Sequence, residues 1–192
     1  NKIVTGPEAA GVIDINASTK ANIQAVAKAK GMSVSDITVV VLNRPRHDVL
    51  LKEIREAGAR IRLIQDGDVA AAIETARPET GIDLLMGIGG TPEGVITAAA
   101  MICLGGSIQG LLHPKDADEK ERAIAAGHDL KKVLSTRDLI NSDDVFLSAT
   151  GITDGELLRG IRYTSYGSIS ESLVMRGKSQ TVRLIQTEHH LK

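Results

Sequence analysis

The chain has 192 residues, 42% of them hydrophobic, and a formal net charge of −1. This composition argues against disorder, and the balanced charge gives no electrostatic case for nucleic acid or an anionic membrane as partner. The three aromatic residues, Phe146, Tyr163 and Tyr166, are too few for a base-stacking surface, and a lone Cys103 excludes a multi-cysteine zinc site. No apolar run reaches the roughly 18 residues of a membrane span. We therefore expect a cytoplasmic protein with an aliphatic core.

Helices and strands are predicted to alternate along the first two thirds of the chain. Helices are predicted where apolar residues recur at helical spacing between capping residues and glycines, and strands where β-branched and aliphatic residues run together. The predicted helices are 20–30, 47–57, 66–76, 92–104 and 118–126. The predicted strands are 11–15, 37–42, 60–64, 82–88, 107–112 and 144–149. This alternation indicates an α/β layered domain with several parallel strands.

The last third of the chain changes character. Three strand candidates, 160–165, 169–175 and 181–187, follow one another with turn residues and no helix between them. This pattern predicts an antiparallel meander added to the α/β core. Since no linker or repeat interrupts the sequence, we expect residues 1–192 to form a single α/β domain or lobe.

Polar or glycine-rich motifs follow four of the predicted strands. Ligands of α/β sheets bind beyond the carboxyl ends of the strands. The motifs are Asn43-Arg44-Pro45-Arg46-His47, Asp66-Gly67-Asp68, Gly87-Ile88-Gly89-Gly90-Thr91-Pro92-Glu93-Gly94 and Thr150-Gly151-Ile152-Thr153-Asp154-Gly155-Glu156. Each is weak alone, but four on one edge of a sheet favour a site for a small anionic ligand such as a phosphate ester.

The first two motifs each have a chemical and a structural explanation. Arg44 and Arg46 present forked donors that suit a phosphate, and they suit an exposed basic loop equally well. Asp66 and Asp68 could hold a divalent cation or sugar hydroxyls, and they could simply cap a helix. The residues alone leave both explanations open.

The third motif runs from a strand into a helix start. Its glycines, Gly90 among them, would let a phosphate approach the backbone where the helix dipole favours an anion. It lacks the spacing of known nucleotide-binding loops, so no nucleotide fold is implied. Glu93 could cap backbone N–H groups or bind a metal beside the phosphate. A plain turn explains the fourth motif, 150–156, about as well as a site does. The remaining histidines, His113, His128, His189 and His190, are interpreted as structural or solvated.

The motifs, taken in order, resemble those of the bacterial class II fructose-1,6-bisphosphatases. The resemblance rests on five blocks that agree in order and spacing: 42–47, 57–64 with 66–69, 87–95, 149–155 and 172–176. Together they span essentially the whole chain.

The resemblance implies a layered α/β/α sugar-phosphate phosphatase-like fold with a mixed sheet and C-terminal antiparallel strands. It implies hydrolysis of the 1-phosphate of fructose 1,6-bisphosphate with Mn²⁺ or Mg²⁺ in gluconeogenesis, and some relatives also take sedoheptulose 1,7-bisphosphate. By motif position, the implied metal ligand is Glu93. The implied substrate-binding residues are Arg44, Pro45, Arg46, Asp66, Gly67, Asp68 and Gly90. No catalytic residue is assigned in this chain.

The sequence departs from the family pattern in one respect. The other metal carboxylates of the family, and its Asp-Gly-Thr motif, have no counterpart here. We therefore expect the C-terminal portion of a longer homo-oligomeric enzyme, which needs the N-terminal half as partner and is inactive alone. A non-catalytic sugar-phosphate sensor or regulatory subunit is the alternative from another class. A phosphatase of the same fold with another sugar-phosphate substrate is the alternative among enzymes.

Overall fold

The structure is a computed structural model that describes residues 1–190. Its strands are β1 (Lys2–Thr5), β2 (Thr38–Leu42), β3 (Arg60–Ile64), β4 (Leu84–Gly87), β5 (Ser107–Gly110), β6 (Leu134–Ser135), β7 (Phe146–Thr150), β8 (Arg162–Thr164), β9 (Gly167–Arg176) and β10 (Thr181–His190). Its α-helices are α1 (Thr19–Lys30), α2 (Asp48–Ala57), α3 (Asp68–Thr75), α4 (Thr91–Leu104), α5 (Ala117–Ala125) and α6 (Thr136–Leu139). None of the helices in this part of the chain is long and apolar enough to cross a membrane.

The first sheet is mixed and has six strands in the order β3-β2-β4-β1-β5-β6. Strand β2 pairs in parallel with β3 and β4, whereas β1 pairs antiparallel with β4 and β5. Because β1 runs against its neighbours, its first residue, Lys2, lies opposite Gly87 and Gly110 at the carboxyl ends of β4 and β5. The predicted mixed sheet is confirmed, but in the described part of the chain parallel pairing is confined to β2, β3 and β4.

Helices cover both faces of this sheet. Alternate strand residues point to opposite faces, so Val39 and Val41 pack with α1 and α2, whereas Val40 packs with α3 and α4. Helix α4 also contacts the second sheet through residues such as Leu173 and Met175. A helix with a sheet on either side must be apolar nearly all round, as the sequence of α4 is. The predicted layered α/β/α architecture is confirmed, and a further sheet is stacked on α4.

The second sheet is antiparallel throughout. Its order is β10-β9-β7, and β8 also pairs with β9. The predicted C-terminal antiparallel strands are therefore confirmed. The strand predicted at 144–149 was placed with the α/β core, and this placement is wrong, because β7 pairs with β9. Hydrophobic spacing identifies a strand but does not choose its partner.

One further expectation about elements is wrong, and one strand was missed. Residues 11–15 form turns instead of a strand, because the Asn22 side chain accepts a hydrogen bond from the Asp14 N–H (2.8 Å) and donates one to the Asp14 carbonyl (2.8 Å). These bonds to a side chain replace ladder bonds to a neighbouring strand. Conversely, β1 was not predicted, although all four of its residues are buried. The single-domain organisation stays a prediction.

Candidate functional site

Three of the four polar motifs meet at one edge of the first sheet. Strands β2, β3 and β4 run parallel, so the loops that follow them leave from the same edge. The first two loops are joined directly, since the Asn43 N–H donates to the Ile64 carbonyl (2.8 Å). The fourth motif, 150–156, follows β7 in the second sheet. The expectation that all four share one edge is therefore wrong for this last motif.

The glycine-rich loop, residues 87–94, connects β4 to the start of α4. Gly87 has a φ of 148°, which favours glycine. Gly90 is the N-cap of α4, and Pro92 and Glu93 lie in the first helical turn. The first N–H groups of a helix lack intrahelical partners, and the helix dipole attracts negative charge there. This end of α4 can therefore bind a phosphate group.

Two neighbouring side chains hold the backbone of Ile88. His47 Nε2 accepts a hydrogen bond from the Ile88 N–H (2.8 Å). The guanidinium of Arg46 donates to the Ile88 carbonyl through Nη2 (2.9 Å) and Nε (3.3 Å). Sequence reasoning expected substrate binding from Arg46 and assigned no role to His47. The sequence feature that could have identified His47 is its position directly after Arg46, at the start of a helix.

A buried ion pair lies against the same loop. Lys2 and Asp68 pair through Nζ and Oδ2 and are almost completely buried. A Cβ added to Gly89 would lie 2.8 Å from Asp68 Oδ2 and 3.1 Å from Lys2 Nζ. A side chain at position 89 would therefore displace the ion pair, and glycine leaves it in place. Asp68, expected to contact the substrate, has its carboxylate committed to Lys2, a residue that sequence reasoning missed because β1 was missed.

The other predicted substrate residues lie on the two adjacent loops. Arg44 donates from Nη1 to the Asn43 carbonyl (2.9 Å) and from Nη2 to the Gln65 carbonyl (2.6 Å), which ties the first loop to the second. Pro45 begins a short 3₁₀ turn, Pro45–His47. Asp66 is exposed, and Gly67 is the N-cap of α3 with a φ of 76°. The substrate roles of these residues stay predictions.

Glu93 has the surroundings of a ligand that lacks its partner. Its Oε2 atom is buried and makes no hydrogen bond. A buried carboxylate oxygen without a partner is costly, and a cation would satisfy it. A Cβ on Gly90 would overlap this oxygen, so Gly90 makes room for the carboxylate. Within residues 1–190, no three His, Cys, Asp or Glu side chains form a group able to hold a metal ion. Glu93 therefore fits one position of a metal site, and its role stays a prediction.

A cleft opens beside the glycine-rich loop. Its volume is about 760 Å³, within the range of small-molecule sites. Lys2, Arg46, His113 and Lys115 are among its lining residues, with Gly90 on the loop side. His113 follows β5, whose carboxyl end lies at the same sheet edge, and its interpretation as structural or solvated stays a prediction. Basic side chains beside a helix N-terminus suit a sugar phosphate, and Glu119 is the one acidic residue among the described residues that line the cleft.

Comparisons with known proteins agree with this geometry. A family model described as "Bacterial fructose-1,6-bisphosphatase, glpX-encoded" matches residues 1–189. The chain is 41% identical to the class 2 fructose-1,6-bisphosphatase of Haemophilus influenzae, an alignment that covers 99% of the chain and 61% of the relative. It is 42% identical to the fructose-1,6-bisphosphatase 1 class 2 of Escherichia coli K12, over 99% of the chain and 60% of the relative. The chain thus spans about three-fifths of the length of these relatives.

Proposed function

The chain belongs to the bacterial glpX-encoded fructose-1,6-bisphosphatase family, and we propose that it carries the substrate-binding part of an enzyme that hydrolyses fructose 1,6-bisphosphate to fructose 6-phosphate. The proposal includes dependence on Mn²⁺ or Mg²⁺, a place in gluconeogenesis, a homo-oligomeric state and a cytoplasmic location. Sedoheptulose 1,7-bisphosphate is a second substrate of the same chemistry. Since the chain spans only part of its relatives, we propose that the remaining metal ligands come from the part that it does not span.

The observation that carries the proposal is the buried, unpartnered Oε2 of Glu93 beside the glycine-rich loop. A helix N-terminus for an anion and an unsatisfied carboxylate for a cation stand next to each other in the first turn of α4. A phosphate ester bound with a divalent cation satisfies both at once. A binding site for the sugar phosphate alone would leave the carboxylate without a partner.

The proposed mechanism assigns a separate task to each part of the edge. A bound Mn²⁺ or Mg²⁺ supplies activation of a water nucleophile and neutralisation of the leaving oxygen. Glu93 holds the metal position, and the backbone N–H groups at the start of α4 orient the phosphate that is cleaved. Arg44 and Arg46 anchor the distant phosphate, because a guanidinium fork positions a phosphate without reacting with it. The side chains of the cleft wall bind the sugar between the two phosphates.

The test is phosphate release from fructose 1,6-bisphosphate by the full-length protein, with Mn²⁺ and with a chelator. We expect release with the metal and none with the chelator. Glu56→Gln serves as the matched control for Glu93→Gln in this assay, because Glu56 is an exposed carboxylate on α2 away from the sheet edge. Metal-independent release would contradict the role of Glu93. Binding of the bisphosphate without any release would overturn the proposal and support a non-catalytic sensor.

A further inference from the structure

We propose that His47 is a positioning residue that sets the backbone of the glycine-rich loop for phosphate binding. This inference rests on the function proposed above, because the loop matters only if it binds a phosphate. His47 contacts the loop through its imidazole ring. It acts on the substrate only through the loop backbone.

Both ring nitrogens of His47 are committed to backbone groups. Nε2 accepts from the Ile88 N–H at 2.8 Å, so this nitrogen carries no proton. Nδ1 lies 2.7 Å from the Leu42 carbonyl, which accepts only if Nδ1 carries the proton. The contacts therefore define a neutral ring with its hydrogen on Nδ1. One side chain thus connects the end of β2 with the loop after β4.

The ring fits closely beneath the loop. His47 is 1% exposed, and a Cβ on Gly87 would lie only 3.0 Å from Nε2. The Ile88 N–H is bound by His47, and the Ile88 carbonyl is bound by Arg46. Two consecutive side chains of one loop thus hold the two peptide groups of Ile88 in the other. The orientation of the backbone entering Gly89 and Gly90 is set from this point.

Glycine explains why such a device is needed. A loop rich in glycine has more accessible backbone conformations than any other, so its N–H groups are not held in place by local preference. Displacing a binding group by about 1 Å can lower an enzymatic rate about 100-fold. Gly90 and Glu93 lie two and five residues after the held Ile88, so His47, together with Arg46, positions the proposed phosphate and metal sites.

Two variants separate the two bonds of the ring. In His47→Gln, the amide oxygen reaches the position of Nε2 and can still accept from the Ile88 N–H. In His47→Asn, the shorter amide reaches the position of Nδ1, where it can donate to Leu42 but leaves Ile88 without an acceptor. The readouts are amide hydrogen exchange over residues 85–95 and steady-state hydrolysis of fructose 1,6-bisphosphate by the full-length protein with Mn²⁺.

We expect faster exchange over this segment in His47→Asn and a kcat/KM lower by about 10- to 100-fold. We expect His47→Gln to stay within about threefold of the parent in kcat/KM, with parental exchange, because it rescues the bond to Ile88. A merely structural ring predicts equal losses of melting temperature and no difference between the variants in kcat/KM. That result, or parental exchange over the loop in His47→Asn, would overturn the inference.

The remaining outcomes of these experiments also count for or against the inference. If His47→Asn does not fold, the comparison of His47→Gln with the parent still tests the inference, because faster loop exchange in His47→Gln would contradict it. If the parent protein releases no phosphate, the proposed function fails. The exchange experiment then decides separately whether His47 holds the loop.

Discussion

The glycine-rich loop, 87–94, and the loop at 150–156 look alike in sequence but differ in what surrounds them. Both follow a strand and combine glycines, hydroxyls and carboxylates. Side chains from other segments hold the first loop, with His47 and Arg46 on Ile88 and the Lys2–Asp68 pair against Gly89. The second loop bonds to its own sheet and to residues that follow it along the chain, and Glu156 pairs with Arg62 of β3. Within its own sheet, the Gly151 N–H donates to the Glu171 carbonyl (3.0 Å) and Thr150 Oγ1 bonds to Ser172 Oγ (2.8 Å).

The difference teaches that residue content at a strand end does not make a site. A site needs several chain segments that converge, and the parallel strands β2, β3 and β4 supply them at one edge of the first sheet. Within residues 1–190, strand β7 pairs only with the antiparallel β9 of the second sheet, and its loop lies outside that edge. Variants matched between the two loops test whether this distinction governs function.

The largest effect is expected from removing the charge of Glu93. In full-length protein, Glu93→Gln should lower kcat by more than about 100-fold, since losing even an outer partner of a metal ligand costs 10- to 100-fold. Binding of fructose 1,6-bisphosphate, measured by calorimetry, should remain. Glu156→Gln, in the second loop, should change kcat by less than about twofold. An unchanged rate in Glu93→Gln would refute the metal-ligand role.

A smaller effect is expected from a methyl group at the N-cap of α4. Gly90 has φ −70° and ψ 157°, which alanine adopts readily, but its Cβ would overlap Glu93 Oε2. Gly90→Ala should therefore leave the melting temperature nearly unchanged and lower kcat about 10- to 100-fold, as the carboxylate moves aside. Gly155→Ala is the control in the second loop, since its Cβ would lie 3.6 Å from the Leu158 carbonyl oxygen. Equal activity of the two variants would mean that the carboxylate position is unimportant.

Arg44→Ala should mainly affect substrate binding. Losing a charged donor from the phosphate anchor should raise KM by about 10-fold, within the free energy of hydrogen bonds to charged groups. Arg159, an exposed arginine beside the second loop, provides the control, and Arg159→Ala should leave KM within about twofold. The measurement is steady-state kinetics over a range of fructose 1,6-bisphosphate concentrations. An effect of Arg44→Ala on kcat alone would contradict the anchor role.

The smallest effect is expected from Glu74, a carboxyl beside Arg62. Arg62 joins the second loop to the first sheet. Arg62 pairs with Glu156, and it also faces Glu74 in α3. Burial raises the pKa of the Glu74 carboxyl above its usual 4.5, and the charge of Arg62 offsets part of this rise. The folded state therefore holds this proton more tightly than the unfolded state, so stability falls as pH rises from about 4.5 through the folded pKa.

Thermal unfolding across a pH series tests this dependence. Glu74→Gln should remove it, so the variant should gain melting temperature relative to the parent as pH rises above about 4.5. Glu156→Gln should leave this pH dependence nearly unchanged, because Glu156 is exposed and its pair with Arg62 is screened by solvent. A difference between Glu74→Gln and the parent that stays constant with pH would contradict the assignment.

Much of the element content follows from the sequence. The strand predicted at 60–64 has the same bounds as β3, and the helix predicted at 20–30 differs from α1 by one residue at its start. Both have strong local signals: a continuous β-rich segment in one, and an N-cap serine with a C-terminal glycine in the other. The strand predicted at 11–15 does not form, because the backbone of Asp14 bonds to the side chain of Asn22, a residue in another element.

The sequence by itself determined the layered α/β class, the antiparallel strands at the C-terminal end and the polar motifs that form the candidate site. These depend on residue spacing and on local turn and cap chemistry, which are written along the chain. Only the tertiary structure decided that β1 lies in the middle of the first sheet and that β7 belongs to the second sheet. It also decided that His47 and Lys2 hold the glycine-rich loop. The physical reason is that strand pairing and burial depend on residues far apart in sequence, whose contacts no local pattern specifies.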